Sequence, residues 1–314
     1  MRSKFTPALS RRGFLASCAA TGAALSLNPA WADTDGASSP RAAPTSALAF
    51  DGDTLVLADA QLRRFDPSGE VVILPAPRTP IRTLACHPDR PGRIFAAPEG
   101  GGVDLSLDGG RTWTAASGGL PQAQVMALTV AAGAPDTVYA AVAEDGLWRS
   151  EDAGESWSFV MDRPWIAEAE REVLSLASVN LASGMGGIWI YAGTERGLTR
   201  VPDCFCRWQD VVAGDAMDAL VAGTPPAPEA PLPEGEPVSA LVSAPAAPER
   251  LYAALPSGLW TSGDGGVAWE SRSNSQPQGL AVDPADPNHI AAATLNELKH
   301  SRDGGGSWVT LAAF

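Results

Sequence analysis

The chain is short of positive charge. Its 314 residues carry 22 Lys and Arg against 36 Asp and Glu, a formal net charge of −14. Only Lys4 and Lys299 are lysines. Nucleic acid and anionic lipid are gripped through basic patches, so both are poor candidates and no nucleic-acid partner is expected. Long apolar runs are missing too. The stretch Phe14–Leu27 is too short and too rich in Ala and Gly to span a bilayer, so no direct membrane insertion is expected. Reactive side chains are few, with 3 Tyr, 3 His and 4 Cys.

Glycine, tryptophan and a repeated motif are what the chain does have. Ser106–Trp113 (SLDGGRTW), Ser150–Trp157 (SEDAGESW), Ser262–Trp269 (SGDGGVAW) and Ser301–Trp308 (SRDGGGSW) all read Ser-x-Asp-x-Gly-x-x-Trp. Such recurrence marks a repeat architecture. In each copy the carboxylate (Asp108, Asp152, Asp264, Asp303) can accept N–H groups of its own turn. The Gly supplies a positive φ. The Trp (Trp113, Trp157, Trp269, Trp308) opens the next strand and packs between sheets. All eight residues are therefore read as structural. The motif resembles the Asp-box, or BNR, repeat of sialidase-like β-propellers. That resemblance implies turns on the propeller rim, away from the substrate face.

An export segment is expected ahead of the repeats. Ser10-Arg11-Arg12-Gly13-Phe14-Leu15 resembles a twin-arginine motif, and Ala30-Trp31-Ala32 offers a small-x-small cleavage site. Leu15-Ala16-Ser17-Cys18 only superficially matches a lipobox, because almost no apolar segment precedes Cys18. The expectation is a twin-arginine signal peptide over 1–32, a flexible leader over 33–45 and a periplasmic mature protein. Without residues 1–32 the formal charge is −18 and Lys299 is the sole lysine.

Residues 46–314 divide into six units of about four strands, giving an all-β fold with a single six-bladed propeller. Two units have decayed motifs: Asp66-Pro67-Ser68-Gly69 in the first, and Asp203-Cys204-Phe205-Cys206-Arg207-Trp208 in the fourth. A seventh blade is the alternative and could lie only within 216–237. The proline-rich stretch 224–237 reads better as a surface insertion. Trp165 is the one mature tryptophan outside the strand pattern, in the loop 161–172. It is a candidate contact residue, or else a plug on its own blade.

Sialidases use a tyrosine nucleophile, a glutamate and an arginine cluster. Here Tyr139, Tyr191 and Tyr252 share one second-strand position, where a nucleophile should break the repeat. The Arg-Ile-Pro signature of that family is absent, since Arg82 and Arg93 stand in other contexts. Asp-box xyloglucan-cleaving enzymes place their acids between two propellers, and this chain has length for one. No catalytic residue and no cofactor are assigned. A carbohydrate-active or carbohydrate-binding propeller remains the alternative reading, with a glycan as the other partner class.

Cys86, Cys204 and Cys206, with His87, His289 and His300, offer a second alternative, a metal or thiol redox role. Cys204 and Cys206 are expected to form a small disulfide-closed loop, leaving Cys86 unpaired. A metal site built from these cysteines ranks below that, and none is assigned.

Propellers usually bind partners on the face that carries the turns between second and third strands and the crossovers between blades. Those turns hold Asp59, Glu99, Glu144 with Asp145, Glu195 and Glu297, a broken ring of negative charge. Arg82, Trp165 and Arg171 lie on the crossovers. Such a face would steer a basic protein segment. The chain resembles exported BNR-like propellers of the photosystem II assembly-factor type. By that analogy it is read as a non-catalytic, protein-binding scaffold or assembly factor for a periplasmic or membrane-associated complex.

Overall fold

The computed structural model describes residues 47–78, 80–181, 187–211 and 230–314. The expected signal peptide and leader lie outside the described residues, as do residues 224–229 of the proline-rich stretch. Among the described residues every regular element is a strand.

Six sheets follow one another along the chain. Blade I is β1 (Ala47–Asp51), β2 (Thr54–Ala58), β3 (Leu62–Phe65) and β4 (Val71–Leu74). Blade II is β5 (Ile81–Cys86), β6 (Ile94–Pro98), β7 (Asp104–Ser106) and β8 (Thr114–Ala115). Blade III is β9 (Val125–Ala131), β10 (Ala134–Val142), β11 (Gly146–Ser150) and β12 (Ser158–Met161). A two-stranded hairpin, β13 (Trp165–Ile166) and β14 (Ala169–Glu170), precedes blade IV, which is β15 (Val173–Asn180), β16 (Ile188–Thr194) and β17 (Gly197–Pro202). Blade V is β18 (Ala240–Ala244), β19 (Ala247–Leu255), β20 (Gly258–Ser262) and β21 (Trp269–Ser273). Blade VI is β22 (Gly279–Val282), β23 (Ile290–Ala293), β24 (Glu297–Ser301) and β25 (Val309–Ala313).

Strands within each blade pair antiparallel in chain order. The inner strands touch in the closed cycle β1, β5, β9, β15, β18, β22 and back to β1. The fold is a six-bladed β-propeller. Blade IV departs from the expected four strands: beyond β17 only the bridge Arg200–Gln209 continues its sheet among the described residues.

Second strands are buried in continuous runs, not on alternate residues: Val138–Val142 and Leu251–Leu255 are buried throughout, although the strands holding them start partly exposed. Ile94–Pro98 and Ile290–Ala293 are buried at every position. A strand in mid-blade has both faces covered by neighbouring blades, so it reads as a continuous apolar run, as buried parallel strands do. Six apolar clusters fill the six seams, one between each pair of adjacent blades. Burying each Leu, Ile or Phe there contributes about 1.5–3 kcal/mol. The outer strands β4, β8, β12 and β25 are mostly exposed edges. The ring closes without strand exchange: blade VI meets blade I through Leu48, Phe50 and Leu57 against Ala281, Ala291 and Leu298.

The four signature turns share one geometry. Each Ser hydroxyl donates to Asp Oδ1 at 2.7–2.9 Å and accepts the N–H of the signature Gly at 2.8–2.9 Å. Asp Oδ1 also accepts the N–H four residues on, from Thr112, Ser156, Ala268 and Ser307. Gly110, Gly154, Gly266 and Gly305 have φ of 89–95°, which L side chains rarely adopt. Where a hydroxyl adds a further bond, the carboxyl is held far below its usual value. For Asp108 the Thr112 hydroxyl and N–H bring it down to about 2, and for Asp152 Ser156 does the same. Asp303 is depressed further by Ser307.

Trp113, Trp157 and Trp208 donate their indole N–H to the last carbonyls of the preceding blade, at Pro75, Ala116 and Asp162. The decayed fourth unit thus keeps its tryptophan's contact after losing the glycine.

Candidate functional site

The second-to-third-strand turns and the crossovers converge on one face of the disk. Sequence reasoning placed a ring of carboxylates there, but the structure pairs much of it. Asp59 bonds Arg63, Glu195 lies 3.3 Å from Arg171, and Glu297 lies 3.5 Å from Lys299. Asp145 accepts the Trp148 indole N–H at 2.7 Å. Glu99 and Glu144 are exposed. At Asp59 and Glu297 a basic residue just past the turn folds back onto the turn's acid, and at Glu195 the crossover Arg171 pairs with it, so the ring keeps less free charge than the sequence suggests. Arg78, another crossover residue, makes two bonds of 2.9 and 3.0 Å to the buried Asp104.

A cavity of about 330 Å³ runs along the axis, lined chiefly by the Ala, Leu and Ser of the first strands. Among the described residues Arg82 is its only arginine, and the lining they form holds neither a carboxylate nor a tyrosine. Arg82 Nε donates to Met126 O at 3.3 Å, and burial holds its guanidinium below the usual value against the opposing charge of Glu99. Ser175 and Ser239 spend their hydroxyls on backbone carbonyls.

The three tyrosines lie in the blade seams instead. Tyr191 donates to Gly265 O at 2.8 Å and Tyr252 to Pro287 O at 2.7 Å, each stapling its blade to the next. Burial pushes the Tyr139 phenol up to about 12, against any nucleophilic use.

Trp165 lies at the base of a two-rung hairpin, where the sequence suggested a loop. Trp165 pairs with Glu170 and Ile166 with Ala169, and the turn residues Ala167 and Glu168 have φ of 50° and 62°. Two left-handed residues in succession make a turn that Asn-Gly would normally supply. Two arginines hold it. Arg171 donates its N–H to Pro164 O (2.8 Å), its Nε to Ile166 O (2.9 Å) and an Nη to Ala167 O (3.1 Å). Arg163 binds Glu170 and Glu172, and the Glu172 carboxylate accepts the Glu144 N–H at 3.1 Å. Trp165 is 65 % exposed, so it is no plug. The sequence signalled Trp165 by breaking the pattern, but nothing local revealed the Arg171 clamp, which needs two carbonyls aimed at its guanidinium and a third at its backbone N–H.

Cys204 and Cys206 form a disulfide in the outer turn of blade IV, with Phe205 between them at φ 51°. Cys86 is a free thiol on the cavity wall, and burial pushes its pKa well up, helped by the charge of Asp51. His87 lies beside it, its ring Nδ1 accepting the Asp89 N–H. The Cys86 and Cys204–Cys206 segments stay apart, one at the axis and one at the rim. His289 and His300, by contrast, come together with Asp283. Among the described residues no group of three or more His, Cys, Asp or Glu is arranged to hold a metal ion.

No protein-family model matches the chain, and no curated protein matches it. Solved structures do. A glycoside hydrolase of family GH74 from Niastella koreensis superposes with a TM-score of 0.57 at 15% identity, over 85% of this chain and 46% of that one. The GH74 xyloglucanase from Xanthomonas campestris gives 0.52 at 18%, over 85% and 47%. The β-propeller domain of Cps50 (Swd1) from Myceliophteria thermophila gives 0.51 at 17%, over 87% and 86%. The chain thus spans just under half the length of both glycoside hydrolases. At these identities the likeness shows the architecture alone: this chain has the fold of a six-bladed β-propeller.

Proposed function

We propose that this is a non-catalytic, exported propeller that binds protein through the crossover face, as a scaffold or assembly factor for a periplasmic or membrane-associated complex. The presentation of Trp165 carries the reading. A left-handed turn of non-glycine residues costs on the order of 1–3 kcal/mol per residue and persists only where surrounding bonds over-determine it. Here that cost holds an indole out in solvent, and exposed tryptophans are favoured anchors of protein interfaces. Segment 162–172 carries four carboxylates, Asp162, Glu168, Glu170 and Glu172, against Arg163 and Arg171. An Arg or Lys of a partner would therefore find both an aromatic face and negative charge.

The axial cavity supports the non-catalytic part of the proposal. Glycoside hydrolysis through paired carboxylates needs two acids facing a bound sugar, and among the described residues the cavity wall supplies none. Export rests on the twin-arginine and cleavage motifs.

Affinity capture from the native periplasm with wild type and Trp165→Ala in parallel, read by mass spectrometry, tests the reading. A reproducible partner, depleted at least tenfold with the variant and weakened by salt, is expected. Equal capture by both chains, or no reproducible partner, would overturn it.

A further inference from the structure

The first strands build a graded tube around the axis, to which the protein-binding reading gives no ligand. Leu48, Leu84, Leu128, Leu176, Leu241 and Leu280, one from each blade, pair with the same second-strand position, an alanine in five blades. All six are buried and line the axial cavity, so they form a leucine collar at a single level. One residue nearer the crossover face, every first strand carries a residue no larger than Thr83, which leaves a chamber above the collar.

At the mouth of that chamber three consecutive blades carry a β-bulge. The ladder of blade II skips Arg82, that of blade III skips Met126 and that of blade IV skips Leu174. A bulge re-aims the side chain of its extra residue, and all three residues line the cavity. Arg82 spends its Nε on Met126 O, across the gap from blade II to blade III. Among the described residues neither Nη has a hydrogen-bond or ion-pair partner. The two-pronged end of the guanidinium, which matches a carboxylate, is therefore left free at the rim of an apolar chamber.

We propose that the axial cavity binds a medium-chain aliphatic monocarboxylate, with its carboxylate on the Arg82 Nη groups and its chain running inward to the leucine collar. The volume of about 330 Å³ lies at the small end of the usual range for ligand sites. From Arg82 to Cys86 the wall runs four residues, about 13 Å along the strand, which sets the depth. One cation above an apolar wall discriminates between ligands. A second carboxylate at the far end of the chain would lose its water against leucine. His87, at the inner end, already spends its ring nitrogens on the Asp89 N–H and Ala132 O. A chain with no charge would leave the guanidinium desolvated and unpaired.

The test is calorimetric titration of delipidated full-length protein with octanoate, butyrate, octanol and suberate, the dicarboxylate of the same length. Octanoate should bind at one equivalent. Butyrate, which buries fewer methylenes, should bind at least tenfold more weakly. Octanol and suberate should also bind at least tenfold more weakly. Arg82→Gln should weaken octanoate at least tenfold and remove its advantage over octanol, while Arg302→Gln, away from the cavity, leaves binding unchanged. Thermal unfolding confirms that each variant folds, and the comparison of octanoate with octanol in wild type decides should Arg82→Gln fail to fold. The proposal would be overturned by wild type taking up no octanoate at millimolar concentration, or by Arg82→Gln binding it equally well. Butyrate, octanol or suberate bound as tightly as octanoate would overturn it too. Trp165→Ala should bind octanoate as wild type does, so this site and the protein-binding reading stand or fall separately.

Discussion

Arg171 Nε lies 2.9 Å from the carbonyl oxygen of Ile166, so one guanidinium reaches back across five residues to hold the turn that displays Trp165. Arg171→Ala should release that turn and leave the propeller intact. Hydrogen exchange over 164–170 should accelerate at least tenfold with the melting temperature nearly unchanged. Exchange as slow as in wild type would show that the Arg163 pairs suffice.

The signature turns predict an acid-sensitive fold. Asp108 and Asp152 titrate near 2 in the folded state, and about 3.9 is the ordinary value in an unfolded chain. Depressed carboxyls contribute stability that is complete above the unfolded value and lost as pH falls through the folded one. Denaturant midpoints should therefore drop between about pH 4 and 2. Asp51 works the other way, because burial raises its carboxyl and acid relieves it. Changing Asp108, Asp152 and Asp303 together to Asn should flatten the acid limb, and an unaltered limb would contradict the turn geometry.

Ser301 is buried, and its Oγ accepts the Gly305 N–H at 2.8 Å while donating to Asp303 at 2.7 Å. Ser301→Ala leaves that buried N–H without its partner, which costs about 1–3 kcal/mol. Urea unfolding should show the midpoint falling with the slope preserved.

Gly193 stands where other blades have Ala, since an added Cβ would collide with the Ser175 hydroxyl and Val238. Gly193→Ala should destabilise by about 1–3 kcal/mol through overpacking. Scanning calorimetry reads this directly, and an unchanged or higher melting temperature would mean that Val238 can move aside.

Tyr191→Phe removes the bonds to Gly265 O and from Arg200 Nη1, at 2.8 and 3.0 Å. A stability loss of about 1–3 kcal/mol with protein capture unchanged is expected if this phenol only staples blades. Lost capture at unchanged stability would give the tyrosine a functional role instead.

Much of the architecture was legible because it is local and repeated. Ser106 and Asp108 close their turn within a few residues, so spacing alone exposes them. Tyr139, Tyr191 and Tyr252 could be judged structural because they obey the repeat. That blade IV has three strands and a lone bridge among the described residues was less visible: Trp208 survives there and keeps its bond to Asp162 O, while the turn geometry around Cys204–Cys206 has changed.

The acidic face was the least legible part. Asp59, Glu195 and Glu297 could be placed by register, but whether each was free depended on where Arg63, Arg171 and Lys299 pointed. Linear order alone determined the blade count and the seating of every signature carboxylate, because those depend on hydrogen bonds a few residues long and on apolar runs. Tertiary structure decided which charges were neutralised, how Trp165 is displayed and that His289 meets His300. Those outcomes hang on side-chain directions and blade-to-blade distances, which residue order does not encode locally.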